Sequence, residues 1–103
     1  MIVDARPNSD TFGKIGYFKL ESEIENKLWV PRGFLHGFIA LPDSPAIFQY
    51  LVDNDYDKES EISINPQVVV KGADLSEFPS FEILLSQKDL MGADLMDFMV
   101  HIK

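Results

Sequence analysis

Apolar residues come along this chain in short bursts separated by proline and glycine. Residues 15–20 are apolar and aromatic, and 28–30 form a brief apolar run. Residues 36–41 read H-G-F-I-A-L and 46–52 read A-I-F-Q-Y-L-V. Residues 61–64 alternate polar with apolar, and 68–70 are β-branched throughout. Short apolar segments bounded by turn residues predict strands, and so many of them predict an all-β sandwich or barrel. Successive side chains of a strand point to opposite faces. The segment 46–52 therefore places Phe48 and Tyr50 on one face and Ile47 and Gln49 on the other. Trp29 and Phe38 fit the core.

The tail has a different period. Leu90, Asp94, Leu95 and Phe98 fall at three- and four-residue spacings, and Met91, Leu95 and Met99 extend one face. That spacing predicts a helical segment over 86–102. Ser86 followed by Asp89 has the form of a helix start. Gly92 weakens the case for one continuous helix. So apolar a tail is expected to pack on the sheet or on a second subunit. Residues 22–26 are long enough for one turn only.

With 103 residues the chain is expected to form a single domain, 1–103. Apolar residues make up 46%, too many for a disordered chain. The absence of cysteine excludes a disulfide scaffold and a cysteine-ligated zinc site. No apolar run reaches the length that crosses a bilayer, and the first residues lack the basic-then-apolar order of a secretory signal. A cytoplasmic protein without a membrane partner is the expectation. The formal charge is −8 and the nine basic residues are nowhere clustered, so nucleic acid is not an expected partner. The acidity is uneven. Residues 1–52 hold five basic and six acidic side chains, while 53–103 hold four and eleven. An anionic ligand meets less repulsion in the first half, although a solvated acidic surface on the second half explains the same bias.

The chain has two histidines, His36 and His101. His101 lies near the end and is given no role. His36 follows Pro31 and Gly33, at the start of a predicted strand, where the mouth of a barrel would be. A metal-binding barrel would need a second histidine two positions away, and Phe34 stands there, so no metal is expected. The acidic stretch 53–61 has Lys58 where a calcium loop needs glycine and Ile64 where it needs glutamate, so it reads as a solvated turn.

The stretch L-W-V-P-R-G-F-L-H-G-F at 28–38 resembles a signature of the dTDP-4-dehydrorhamnose 3,5-epimerase family, L-W-I/V-P-x-G-F-x-H-G-F. Three further blocks agree in order. D-A-R-P-N-S-D-T-F-G at 4–13 is similar to D-x-R-x-x-S-P-T-F-G, with Asp10 in place of the proline. F-Q-Y-L-V-D-N-D-Y at 48–56 is similar to the family's aromatic strand and tyrosine-bearing turn, and L-S-Q-K-D at 85–89 to its C-terminal L-S-x-K-D.

The resemblance implies a cupin-like double-stranded β-helix (a jelly roll) that dimerises, here lacking its first strands and carrying a short C-terminal helical segment. It implies a cofactor-independent reaction on a dTDP-4-keto-6-deoxy sugar, whose C4 ketone acidifies the protons at C3 and C5. A His–Asp dyad takes a proton, and a tyrosine returns one to the opposite face. Carried over by position, Tyr50 is the acid, Asp89 the dyad carboxylate and His36 a histidine lining the site. Arg32 is the candidate for binding the anionic substrate. The family's base histidine lies in an upstream R-G-L-H motif that these residues do not contain.

Plainer roles stay open for each. Asp89 also fits a helix-start carboxylate, Tyr50 a core tyrosine with a satisfied hydroxyl, His36 a hydrogen-bonded barrel histidine and Arg32 a surface cation. At the level of function, a non-catalytic relative that binds a sugar nucleotide or only assembles is the rival to an epimerase. A jelly roll without its first strands exposes sheet edges, so a homodimer is expected.

Overall fold

A computed structural model describes residues 1–42, 45–74, 76 and 82–103. Its sheet has three short strands, β1 (Ile2–Asp4), β2 (Ile15–Gly16) and β3 (Phe34–His36). The order is β2-β1-β3 with both pairings antiparallel. Ile2 faces Gly16 and His36, Val3 faces Ile15 and Leu35, and Asp4 faces Phe34. Strand alternation then sorts the sheet into two faces. Val3, Ile15 and Leu35 share one; Ile2, Asp4, Phe34 and His36 share the other.

The first face is covered by helices. They are α1 (Gln67–Lys71) and α3 (Leu95–Ile102); a further short helix, α2 (Gln87–Leu90), buries no residue, and a 3₁₀ turn spans Lys58–Ser60. Val3, Val69, Leu95 and Met99 form the buried cluster, with Ile15, Leu35, Ile64, Phe98 and Ile102 packed around it. On α3, Leu95, Phe98, Met99 and Ile102 recur at the spacing that puts them on one stripe. Asp94 caps α3, its carboxylate accepting from the N–H groups of Met96 (2.8 Å) and Asp97 (3.1 Å). The Tyr17 hydroxyl donates to the Val69 carbonyl at 2.7 Å, which fastens the region after β2 to α1.

Several expectations need correction. Residues 68–70, expected as a strand, lie in α1. Pro66 opens this helix, the Asn65 side chain accepts from the Gln67 N–H at 3.1 Å, and Val69 and Val70 are buried. Burial against the sheet outweighs the weak β preference of three valines. The helical tail is two helices. The break at 91–94 lets Ala93 form a parallel bridge with Ile64, its N–H donating to Ser63 and its carbonyl accepting from Asn65, both at 2.9 Å. Strand β1 was not anticipated, because three residues before a proline give little periodicity. No strand forms at 28–30 or 46–52, and of 61–64 only Ile64 joins a bridge. The described residues therefore hold a small antiparallel sheet with three helices, less β structure than an all-β fold. Trp29 and Phe38, read as core, are 83% and 59% exposed.

Candidate functional site

Asp4 is the most buried polar residue described, at 1% exposure. A buried carboxylate must be hydrogen-bonded, and this one is heavily so. Arg6 grips it with two side-chain bonds, Nε to Oδ1 at 2.9 Å and Nη2 to Oδ2 at 2.7 Å. The Arg6 backbone N–H donates to Oδ1 at 3.0 Å. The hydroxyls of Ser9 and Thr11 each donate to Oδ2 at 2.6 Å. The Arg6 side chain, then Ser9 and Thr11, hold the Asp4 carboxyl far below the usual carboxylate range, against the opposing effect of burial. Asp4 in turn raises Arg6 further.

This cluster abuts the turn that leads into β3. The Ala5 N–H donates to the Gly33 carbonyl at 2.9 Å. The Arg6 guanidinium lies over the Phe34 ring, 4.6 Å from its centroid. Residues 4–13 and 28–38, two of the four blocks singled out in the sequence, are thereby joined.

The third block is joined next. Phe38 stacks on Phe48 with ring centroids 3.9 Å apart and 13° between planes, and Phe48 meets Tyr50 at 5.5 Å. Arg32 donates to Asp53 at 2.6 Å, which lowers the Asp53 carboxyl. Pairing 32 with 53 and 38 with 48 means the two segments run antiparallel, held through side chains rather than a backbone ladder. Alternation along β3 puts Phe34 and His36 on one side, and beyond the strand Phe38 meets the ring that neighbours Tyr50. Tyr50 is thus tied through Phe48 and Phe38 to the segment just after His36, the last residue of β3. His36 and Tyr50 are both exposed.

The fourth block is attached through Glu61. Its carboxylate accepts from the Tyr56 hydroxyl at 2.6 Å and pairs with Lys88. Lys88, then Tyr56, lower the Glu61 carboxyl; Glu61 raises both the Tyr56 hydroxyl and the Lys88 ammonium. Asp89 sits beside Lys88 at the start of α2. Its carboxylate accepts from the Ser86 hydroxyl at 2.8 Å, and no hydrogen bond joins it to His36 or Tyr50. Arg32 and Tyr50 are each linked across segments 32–38 and 48–53, the first of which carries His36, and Asp89 stands at a helix cap reached through Tyr56, Glu61 and Lys88. Sequence reasoning missed the Asp4 clamp and the Tyr56–Glu61–Lys88 link. The first had a signal, six hydrogen-bonding side chains within D-A-R-P-N-S-D-T, of which Asp4, Arg6, Ser9 and Thr11 form the clamp. The second had none, because Glu61 and Lys88 are far apart in sequence.

The cleft between the sheet and the helices is no rival site. Its volume is about 70 Å³, and although His36 reaches its lining, the rest is mostly apolar, including Leu35, Ile64, Val69 and Leu95. A drug-sized ligand needs a few hundred Å³, and a sugar nucleotide is no smaller.

The described residues define a small antiparallel β-sheet backed by helices, with His36 ending its last strand. The family model described as dTDP-4-dehydrorhamnose 3,5-epimerase matches residues 1–97, and the chain belongs to that family. Three relatives carry the same name. That of Escherichia coli K12 is 47% identical over 62 residues, covering 60% of this chain and 33% of the relative. Those of Shigella flexneri and Salmonella typhimurium LT2 are 40% and 38% identical, each covering 92% of this chain and 50% of the relative. The chain spans about half the length of these last two relatives. No solved structure matches it.

Proposed function

We propose that these residues carry the proton-donor side of a nucleotide-sugar epimerase site, acting on a dTDP-4-keto-6-deoxy sugar. The observation that carries this reading is the linkage of the blocks. Four blocks that resemble the family's motifs are linked in series, and Tyr50 is joined through Phe48 and Phe38 to the segment that carries His36. The C4 ketone makes the neighbouring C–H acidic. A base takes that proton, the electron pair moves onto the ketone oxygen as an enolate, and the Tyr50 hydroxyl protonates the carbon from the opposite face. No cofactor or metal is needed for this exchange. His36 lines the ring, and Arg32 offers its guanidinium to the anionic part of the substrate in exchange for Asp53. Asp89 is the carboxylate of the base dyad. The base histidine comes from outside these residues, on the same polypeptide or another.

The wider fold is a jelly roll, and the protein works as a cytoplasmic homodimer. The exposed apolar residues support a covered surface of this kind, Ile47 and Leu51 being almost fully exposed. Among the described residues no helix is long and apolar enough to cross a membrane.

Deuterium uptake from solvent into the sugar, followed by proton NMR, tests the reading. The protein completed with a relative's R-G-L-H segment exchanges the proton next to the ketone. The uncompleted chain does so about 10²–10⁴ times more slowly, and Tyr50→Phe in the completed protein causes a loss of the same order in epimerisation. Binding without exchange in the completed protein would overturn the epimerase and leave a sugar-nucleotide-binding relative.

A further inference from the structure

We propose that Arg6 is a positioning residue for the candidate site: it forms the surface against which the Arg32–Gly33 turn and Phe34 rest, and so fixes the strand that carries His36. Three observations converge. The Asp4 carboxylate accepts from Arg6 Nε and Nη2 at 2.9 and 2.7 Å, and Nη2 also donates to the Ser9 hydroxyl at 3.1 Å, so the guanidinium plane has one orientation. That plane lies 4.6 Å from the Phe34 centroid. The Arg6 stem also fills the space beside Gly33, where a Cβ would lie 2.5 Å from the Arg6 Cγ. Gly33 has φ +85°, a conformation that a residue with a Cβ rarely adopts. The turn is therefore shaped on both sides, by its own backbone and by the arginine beneath it.

Position follows from this. β3 pairs with β1 through Asp4–Phe34 and Ile2–His36. Phe34 and His36 share a face, two residues apart. A guanidinium that fixes Phe34 on that face fixes the direction in which His36 leaves it. A lysine at position 6 can reach Asp4, but it offers a single point of contact and no plane for Phe34. The buried carboxylate remains satisfied in part by Ser9 and Thr11, so the sheet survives while Phe34 loses its support.

The consequence for catalysis rests on the epimerase reading, but the positioning role is read without ligand. The His36 ring signals of the full chain are followed by NMR in Arg6→Lys and in Gly33→Ala. Methyl signals of Leu95 and Met99 report the core, which Arg6 does not touch. The expected result is a displaced His36 ring signal in both variants with the core signals in place. Binding of free dTDP, measured separately, is expected to weaken about tenfold in Arg6→Lys. His36 signals unchanged in both variants would overturn the proposal. So would loss of the core signals in Arg6→Lys, since Arg6 would then be a general folding residue. Failure of the epimerase reading shows itself differently, as a wild-type chain that does not respond to dTDP whatever the variants do to His36.

Discussion

Asp4 concentrates the electrostatics of this molecule on one buried oxygen pair. Arg6 first, then Ser9 and Thr11, hold its carboxyl far below its ordinary value of 3.8. In the unfolded chain that value is restored, so on acidification the unfolded chain takes up a proton before the folded one does. Stability due to Asp4 is complete above 3.8 and is lost as pH falls below it. The urea midpoint is expected to stay level from about pH 7 to about pH 5 and to fall below about pH 4. Asp4→Asn lowers the midpoint at neutral pH and flattens the acid fall. Parallel curves for the two proteins would show that the acid sensitivity lies with exposed carboxylates such as Asp53 and Glu61, whose pairs are screened by solvent. The motif D-A-R-P-N-S-D-T made these side chains visible in the sequence. Their convergence on one carboxylate was not, because hydroxyls at positions 9 and 11 reach Asp4 only once the chain has turned.

The elements show where local pattern decides and where contact with the rest of the chain does. Ser86 was readable as a helix start and does cap α2, its hydroxyl accepting from the Asp89 N–H at 3.1 Å. The apolar stripe of α3 was readable too. The valines at 68–70 misled, since their burial in α1 depends on a sheet that the segment itself does not encode. Gly92 gave a half-signal. It suggested a break, and the reason lies in the neighbouring segment: a Cβ at Gly92 would lie 2.7 Å from the Asn65 nitrogen and the Ile64 carbonyl carbon. These are backbone atoms of a bridged segment and cannot swing aside. Gly92→Ala is therefore expected to destabilise by about 1–3 kcal/mol, seen as a lower urea midpoint at an unchanged slope. An unaltered midpoint would mean that residues 63–65 do not run against the helix break.

At the scale of the whole molecule, the Cα radius of gyration is 14.6 Å, where a compact domain of this length has about 13 Å. The looseness matches the exposed aromatics. Trp29, Phe38 and Tyr50 lie on surface that a closed barrel would cover. The four blocks in order made the family legible, and the first three contact one another in turn, while the fourth is reached through Glu61. The contacts between segments 32–38 and 48–53 were less legible, because Phe38 with Phe48 and Arg32 with Asp53 meet across a pairing that has no backbone ladder to predict. Under the proposed function, the nucleotide sugar binds along segments 32–38 and 48–53 rather than in the apolar cleft under the sheet. Titrating the labelled protein with dTDP and mapping the NMR shifts tests it most directly. Shifts concentrated on Arg32, Phe38, Phe48 and Tyr50 are expected. Shifts concentrated on Ile64, Val69 and Leu95, or none at saturating dTDP, would contradict it.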